Sequence, residues 1–189
     1  KQTPKYSMKT LAYHEATPGH HHQIAHSLEN EELTLYRRFG YQTSAFSEGW
    51  ALYSEQLALE AGLAPDPYDE LGILQSEIFR AVRLVVDTGL HYKKWTREEA
   101  IDYMKAKTGM SDTECRVEIE RYIVWPGQAL SYKVGMIKIL ELREKAMDAL
   151  GDRFNIKDFH SAVLDNGNPP LFIVEKMVDE MIAKGLEAS

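Results

Sequence analysis

Apolar positions recur at helical spacing along nearly the whole chain, and the two-residue alternation of an amphipathic strand is almost absent. Tyr6 to Leu28 reads as a helix interrupted at Pro18-Gly19, with Met8, Leu11, Ala12, Ile24 and Leu28 as its inward positions. Proline inside a helix removes a hydrogen bond and clashes with the preceding turn, so a bend or bulge is expected near Pro18. A second helix is predicted from about Ser44 to Ala61, stopped by Gly62 and the APDP turn, and a third from Tyr68 to about Thr88. TREEA starts a fourth: Thr96 can cap it, and Glu98 and Glu99 suit the positive end of the helix dipole. That helix ends near Lys107, before Gly109. SDTECRVEIERYIVW repeats the pattern, with Ser111 or Asp112 as cap and Pro126-Gly127 as the break. A helix from about Ala129 to Leu150 follows, then a short one ending at Asn166-Gly167. The last is opened by Pro169-Pro170 and closed by Gly185. At most one short strand is expected, near Leu35–Gln42, and no repeat or linker divides the chain. The pattern predicts one all-α unit over residues 1–189.

Composition narrows the function without naming it. A chain of 189 residues can enclose one sizeable core and is short for two. A net charge of −7 argues against broad binding to nucleic-acid phosphates. A single cysteine, Cys115, excludes an internal disulfide and a cysteine-built zinc module. No apolar run reaches the roughly 18 residues of a membrane span. The first residues, KQTPKYSMKT, carry neither an initiator methionine nor an apolar signal core, so the chain reads as a soluble fragment or processed product.

The chemistry is concentrated in HEATPGHHH, His14 to His22. It opens like the zinc-peptidase signature H-E-x-x-H, in which two histidines four apart share one face of a helix. Here the fourth position is Pro18. On a regular helix His20 would point elsewhere, and His21 would lie about 10 Å along the axis from His14. Pro18 cannot donate to the carbonyl of His14, however, and Gly19 tolerates unusual dihedrals. A bulge there would bring His20 back over His14, with Glu15 placed as a general base. A chance histidine cluster or a solvated face accounts for the same residues, and His22 and His26 have chelating spacing of their own. FSEGWALYSEQLALE offers Glu48, Glu55 and Glu60 as a third ligand. Glu48 is favoured, because Gly49 beside it lets another backbone approach. Glu55, seven residues on, shares its helix face.

Five segments together, YHEATPGHHHQ, SEGWALYSEQL, VDTGLHYKKWTREEAIDYM, RYIVWPGQALSYKVG and FHSAVLDNGNPPL, resemble the bacterial DUF885 family, which is grouped with gluzincin-like metallopeptidases. HExxPGHH is that family's own form of the motif. The resemblance implies a multi-helix bundle with a kinked or bulged metal-binding helix. It implies zinc, or another divalent transition metal, held by His14, His20 and Glu48, with His21 as rival to His20. It implies hydrolysis of a peptide or small amide with Glu15 as base, and Tyr132 or His91 as donor to the oxyanion. His21 and Gln128 would line the substrate cleft. Arg80 and Arg83 suit a substrate carboxylate or an ion pair with one of the many acids. The family's chains are about three times as long, so the N-terminal remainder would be a partner of this catalytic portion, in the bacterial cytoplasm or periplasm. The competing expectation is a non-catalytic helical module whose histidines hold a structural metal or none.

Overall fold

The computed structural model describes residues 4–40 and 43–187. Ten α-helices occupy them: α1 (Ser7–Glu15), α2 (His20–Glu29), α3 (Leu35–Phe39), α4 (Ser44–Glu60), α5 (Pro67–His91), α6 (Arg97–Thr108), α7 (Asp112–Val124), α8 (Ser131–Leu150), α9 (Ile156–Leu164) and α10 (Leu171–Glu187). No strand occurs among the described residues, and none of their helices is long and apolar enough to cross a membrane.

Local chemistry explains most boundaries. Thr96 and Ser111 each form a reciprocal capping box, with Glu99 and Glu114 respectively, which satisfies two otherwise orphaned donors at each start. Asp66 caps α5 ahead of Pro67, whose missing N–H costs nothing at that position. Gly109 ends α6 in the left-handed conformation, with φ of 67°.

Four expectations need correction. Leu35–Phe39 is a helical turn capped by Thr34, not a strand; Tyr41 and Gln42 lie outside the described residues. Gly185 does not close α10, which continues to Glu187 because no turn chemistry follows it. Pro18-Gly19 does not bulge a continuous helix but ends it: α1 stops at Glu15 and α2 begins at His20. Finally, Met8, Leu11, Ala12 and Ile24 are exposed and Leu28 only half-buried, while Thr10, His14, Gln23 and Ser27 are buried. α1 turns its polar face inward because Glu55 on α4 accepts from Thr10 and His14 there, and α2 turns His20 towards Glu48 on the same helix.

Two apolar clusters flank that polar seam. One joins α4, α8, α9 and α10 through residues such as Phe46, Met136, Ile139, Phe159 and Val178. The other joins α5, α6 and α7 through Val86, Met104 and Ile119, with Cys115 buried among them. α4 and α8 cross with their backbones in contact. A Cβ on Gly49 would lie 2.5 Å from the Cα of Gly135, and one on Gly135 would lie 1.9 Å from the carbonyl oxygen of Ala45. Glycine at both positions lets the two backbones touch, which brings the start of α8 against Glu48.

Candidate metal centre

α1, α2 and α4 each contribute one side chain to a shared point. The ligating atoms of His14, His20 and Glu48 all lie within 4.8 Å of one another. His14 Nε2 is 3.6 Å from Glu48 Oε2, and His20 Nε2 is 3.1 Å from the same oxygen. The two imidazoles meet edge to face, with centroids 4.9 Å apart. Donors set tetrahedrally about zinc at ~2 Å stand about 3.3 Å from one another, so this spacing suits one ion.

The turn between the helices makes the meeting possible. Thr17–Pro18 is a cis peptide, and the backbone N–H of His22 donates to the carbonyl of Ala16 at 3.2 Å. Gly19 passes so close under α1 that a Cβ would lie 1.9 Å from the carbonyl oxygen of His14. Only a residue without a side chain fits. From α4, the buried Trp50 indole donates to the carbonyl of Pro18 at 2.8 Å and fixes the turn.

His14 is oriented from behind. Its Nδ1 hydrogen-bonds Glu55 Oε1 at 2.7 Å, and the Thr10 hydroxyl donates to Glu55 Oε2 at 2.5 Å. A carboxylate accepts, so Nδ1 carries a proton and Nε2 faces Glu48, where its lone pair would be free for a metal once any proton on Nε2 is displaced. Glu55 is 2 % exposed, and its two oxygens are spent on these two donors. Burial opposes ionisation of Glu48, but contacts from His14, His20 and Tyr132 outweigh it and hold its carboxyl well below the usual range. For His14 burial disfavours the charged form, and hydrogen bonds to Glu48 and Glu55 overcome it, raising the pKa. The Tyr132 ring stacks on His14 at 6.1 Å, and Tyr132 is 8 % exposed.

The remaining candidates are placed less centrally. Glu15, next to His14, is exposed, and its side chain makes no hydrogen bond to a described residue. His21 is exposed on the outer side of α2, and His22 lies beside His26 with centroids 6.3 Å apart. His26 pairs with Asp165 at 2.7 Å. The structure does not bring His91 to the cluster; its Nε2 hydrogen-bonds the carbonyl of Tyr122 at 2.9 Å. Gln128 shares a cavity of about 520 Å³ with Glu48, where the Arg121 guanidinium donates to its Oε1 at 2.7 Å. Arg83 is tied to Tyr122 and Glu118 at 2.8 and 2.9 Å, whereas the Arg80 side chain has neither hydrogen bond nor ion pair among the described residues. Sequence reasoning did not separate these two arginines, because only the packing of α7 against α5 distinguishes them.

The model of a family described as bacterial protein of unknown function, DUF885, matches residues 1–178. The chain belongs to this family. Two solved structures are similar to this DUF885 chain. One is described as "the putative lipoprotein from Colwellia psychrerythraea", with 54% identity over 97% of the chain and a TM-score of 0.93. The other is a "putative lipoprotein of unknown function from Shewanella oneidensis", with 28% identity over 92% of the chain and a TM-score of 0.85. The match covers 31% of each of those chains, so the present sequence spans under a third of their length. No curated protein matches it.

Proposed function

We propose that this DUF885 chain carries the metal centre of a hydrolase that cleaves peptide or small amide bonds. The observation that carries this reading is a cluster of two histidines and one glutamate whose second layer, Glu55 and Thr10, is already in place. Three protein donors leave a coordination position for water, which is the pattern of a catalytic rather than a structural site. Zinc, or another divalent transition metal, would be held by His14 Nε2, His20 Nε2 and Glu48. It supplies a Lewis acid for a carbonyl and a more acidic water.

The chain's own groups do the rest. The Glu15 carboxylate, exposed beside His14, takes a proton from the attacking water and returns it to the leaving amine as the C–N bond breaks. The Tyr132 hydroxyl, close to Glu48 at the start of α8, donates to the oxygen on which negative charge develops. Gln128 lines the approach next to Glu48. Likeness to two proteins described as lipoproteins supports a location outside the cytoplasm.

Metal content decides the reading. Purified without affinity metals and then supplied with zinc, the protein should hold about one ion per chain, and His14→Ala and Glu48→Ala should hold none. A wild type without stoichiometric metal would sink the proposal. Glu15→Gln should keep the metal and lose hydrolysis of peptide and amide substrates; an unchanged rate removes Glu15 from its role.

A further inference from the structure

An arginine set into a protein with no acceptor bonded to its guanidinium is costly, because the charge gives up water without regaining hydrogen bonds. Arg80 is in that position. Its Nε is buried with no hydrogen-bond acceptor, and its guanidinium rests only on ring faces, 4.9 Å from the Phe79 centroid and 5.4 Å from that of Tyr132. Arg83, three residues on, shows what a structural arginine looks like on the same helix. It spends Nε on Tyr122 and Nη2 on Glu118, and only Nη1 is left over.

Arg80 lines a cavity of about 480 Å³ bounded by α1, α5 and the junction of α6 with α7, together with His14, Thr10, Glu55, Gln75 and Phe79. That volume suits a small ligand. One residue of the metal cluster and one unpaired cation therefore face the same space. We propose that this cavity receives the C-terminal carboxylate of a short peptide or N-acyl amino acid, gripped by Arg80, so that the site acts at the carboxyl end of its substrates. The proposal rests on the hydrolase reading above and adds the substrate class.

Two features favour a carboxylate. The guanidinium fork matches two coplanar oxygens. Glu55 lines the same cavity, so a single negative charge is accommodated there better than a dianion such as phosphate. Reach then sets the cleavage position. Arg80 and His14 both lie against the Tyr132 ring, at 5.4 and 6.1 Å. Guanidinium and imidazole are thus no farther apart than the span of between three and four extended residues, at ~3.4 Å each.

The test uses the full chain and two probes, N-acetyl-Ala-Ala and its C-terminal amide, with binding read by calorimetry. Wild type should bind the acid at least tenfold more tightly than the amide. Arg80→Met should abolish that preference, with metal content unchanged and Tm equal or higher, since a bare charge has been removed. Arg80→Lys, which keeps the charge without the fork, should retain only part of it. Equal binding of both probes by wild type, or a preference that survives in Arg80→Met, overturns the proposal. The two readings fail separately. A protein that holds metal and cleaves blocked and free peptides alike is a hydrolase without this subsite. One that prefers the acid but holds no metal keeps the carboxylate subsite and loses the hydrolase.

Discussion

Gly19 carries more of the site than any charged residue around it. The carbonyl of His14 occupies the place a side chain would need, so Gly19→Ala must push α2 away from α1. Overpacking of this kind costs about 1–3 kcal/mol. Here it should also separate His20 from His14, so the variant is expected to unfold at lower denaturant and to bind zinc more weakly in a competitive chelator titration. Glu55 is the complementary case. Glu55→Gln keeps the shape but offers one accepting oxygen where two donors compete, His14 Nδ1 and the Thr10 hydroxyl. Loss of such an outer partner weakens metal affinity by about 10–100-fold, and the same titration measures it. An affinity equal to wild type would show that the Glu55 carboxylate does not set the orientation of His14.

Among the elements, the crossing of α4 and α8 sets the geometry, because Glu48 and Tyr132 ride on opposite sides of it. Gly135→Ala would press a methyl against the Ala45 carbonyl. We expect a loss of about 1–3 kcal/mol of stability, measured by chemical denaturation, and weaker zinc binding as α8 withdraws from Glu48. The helices themselves are legible in the sequence wherever capping chemistry marks them: Thr96, Ser111 and Gly109 announce α6 and α7 because their side-chain and backbone effects are local. The polar seam is not. Met8 and Leu11 make an apolar pattern that points the wrong way, since the inward face of α1 is decided by Glu55 on α4, which lies 45 residues beyond Thr10 and 41 beyond His14 in sequence. HEATPGHHH shows that histidines can converge, and Gly49 that a backbone comes close to Glu48. Neither shows that the helix ends at Glu15, that Glu55 fixes the tautomer of His14, or that Arg80 stands without a partner while Arg83 does not. Those facts arise from side chains meeting across helices, which spacing along one helix cannot encode.

For the molecule as a whole, one contribution to acid sensitivity comes from a histidine away from the metal cluster. Burial, helped by the nearby Arg143 charge, lowers the pKa of His160 from 6.5 to about 4. Its Nε2 hydrogen-bonds the Tyr53 hydroxyl at 2.8 Å. Between those two pH values the unfolded chain binds a proton at this position and the folded chain does not, so stability rises with pH across the window. His160 should therefore contribute a loss of stability as pH falls from 6.5 towards 4. Denaturation at pH 7 and pH 5 checks this: His160→Gln should lose less stability than wild type between the two. An identical loss in both proteins would remove His160 from that role.

The hydrogen bond from Trp50 to the Pro18 carbonyl has an optical consequence. It ties one indole to the turn that separates the two histidine-bearing helices, so the emission of that indole follows the turn. The other two tryptophans are Trp95, packed on Tyr103, and Trp125, which is largely exposed. With both replaced by phenylalanine, the protein would carry a single fluorophore whose spectrum reports, without any added label, when the two helices close on an ion.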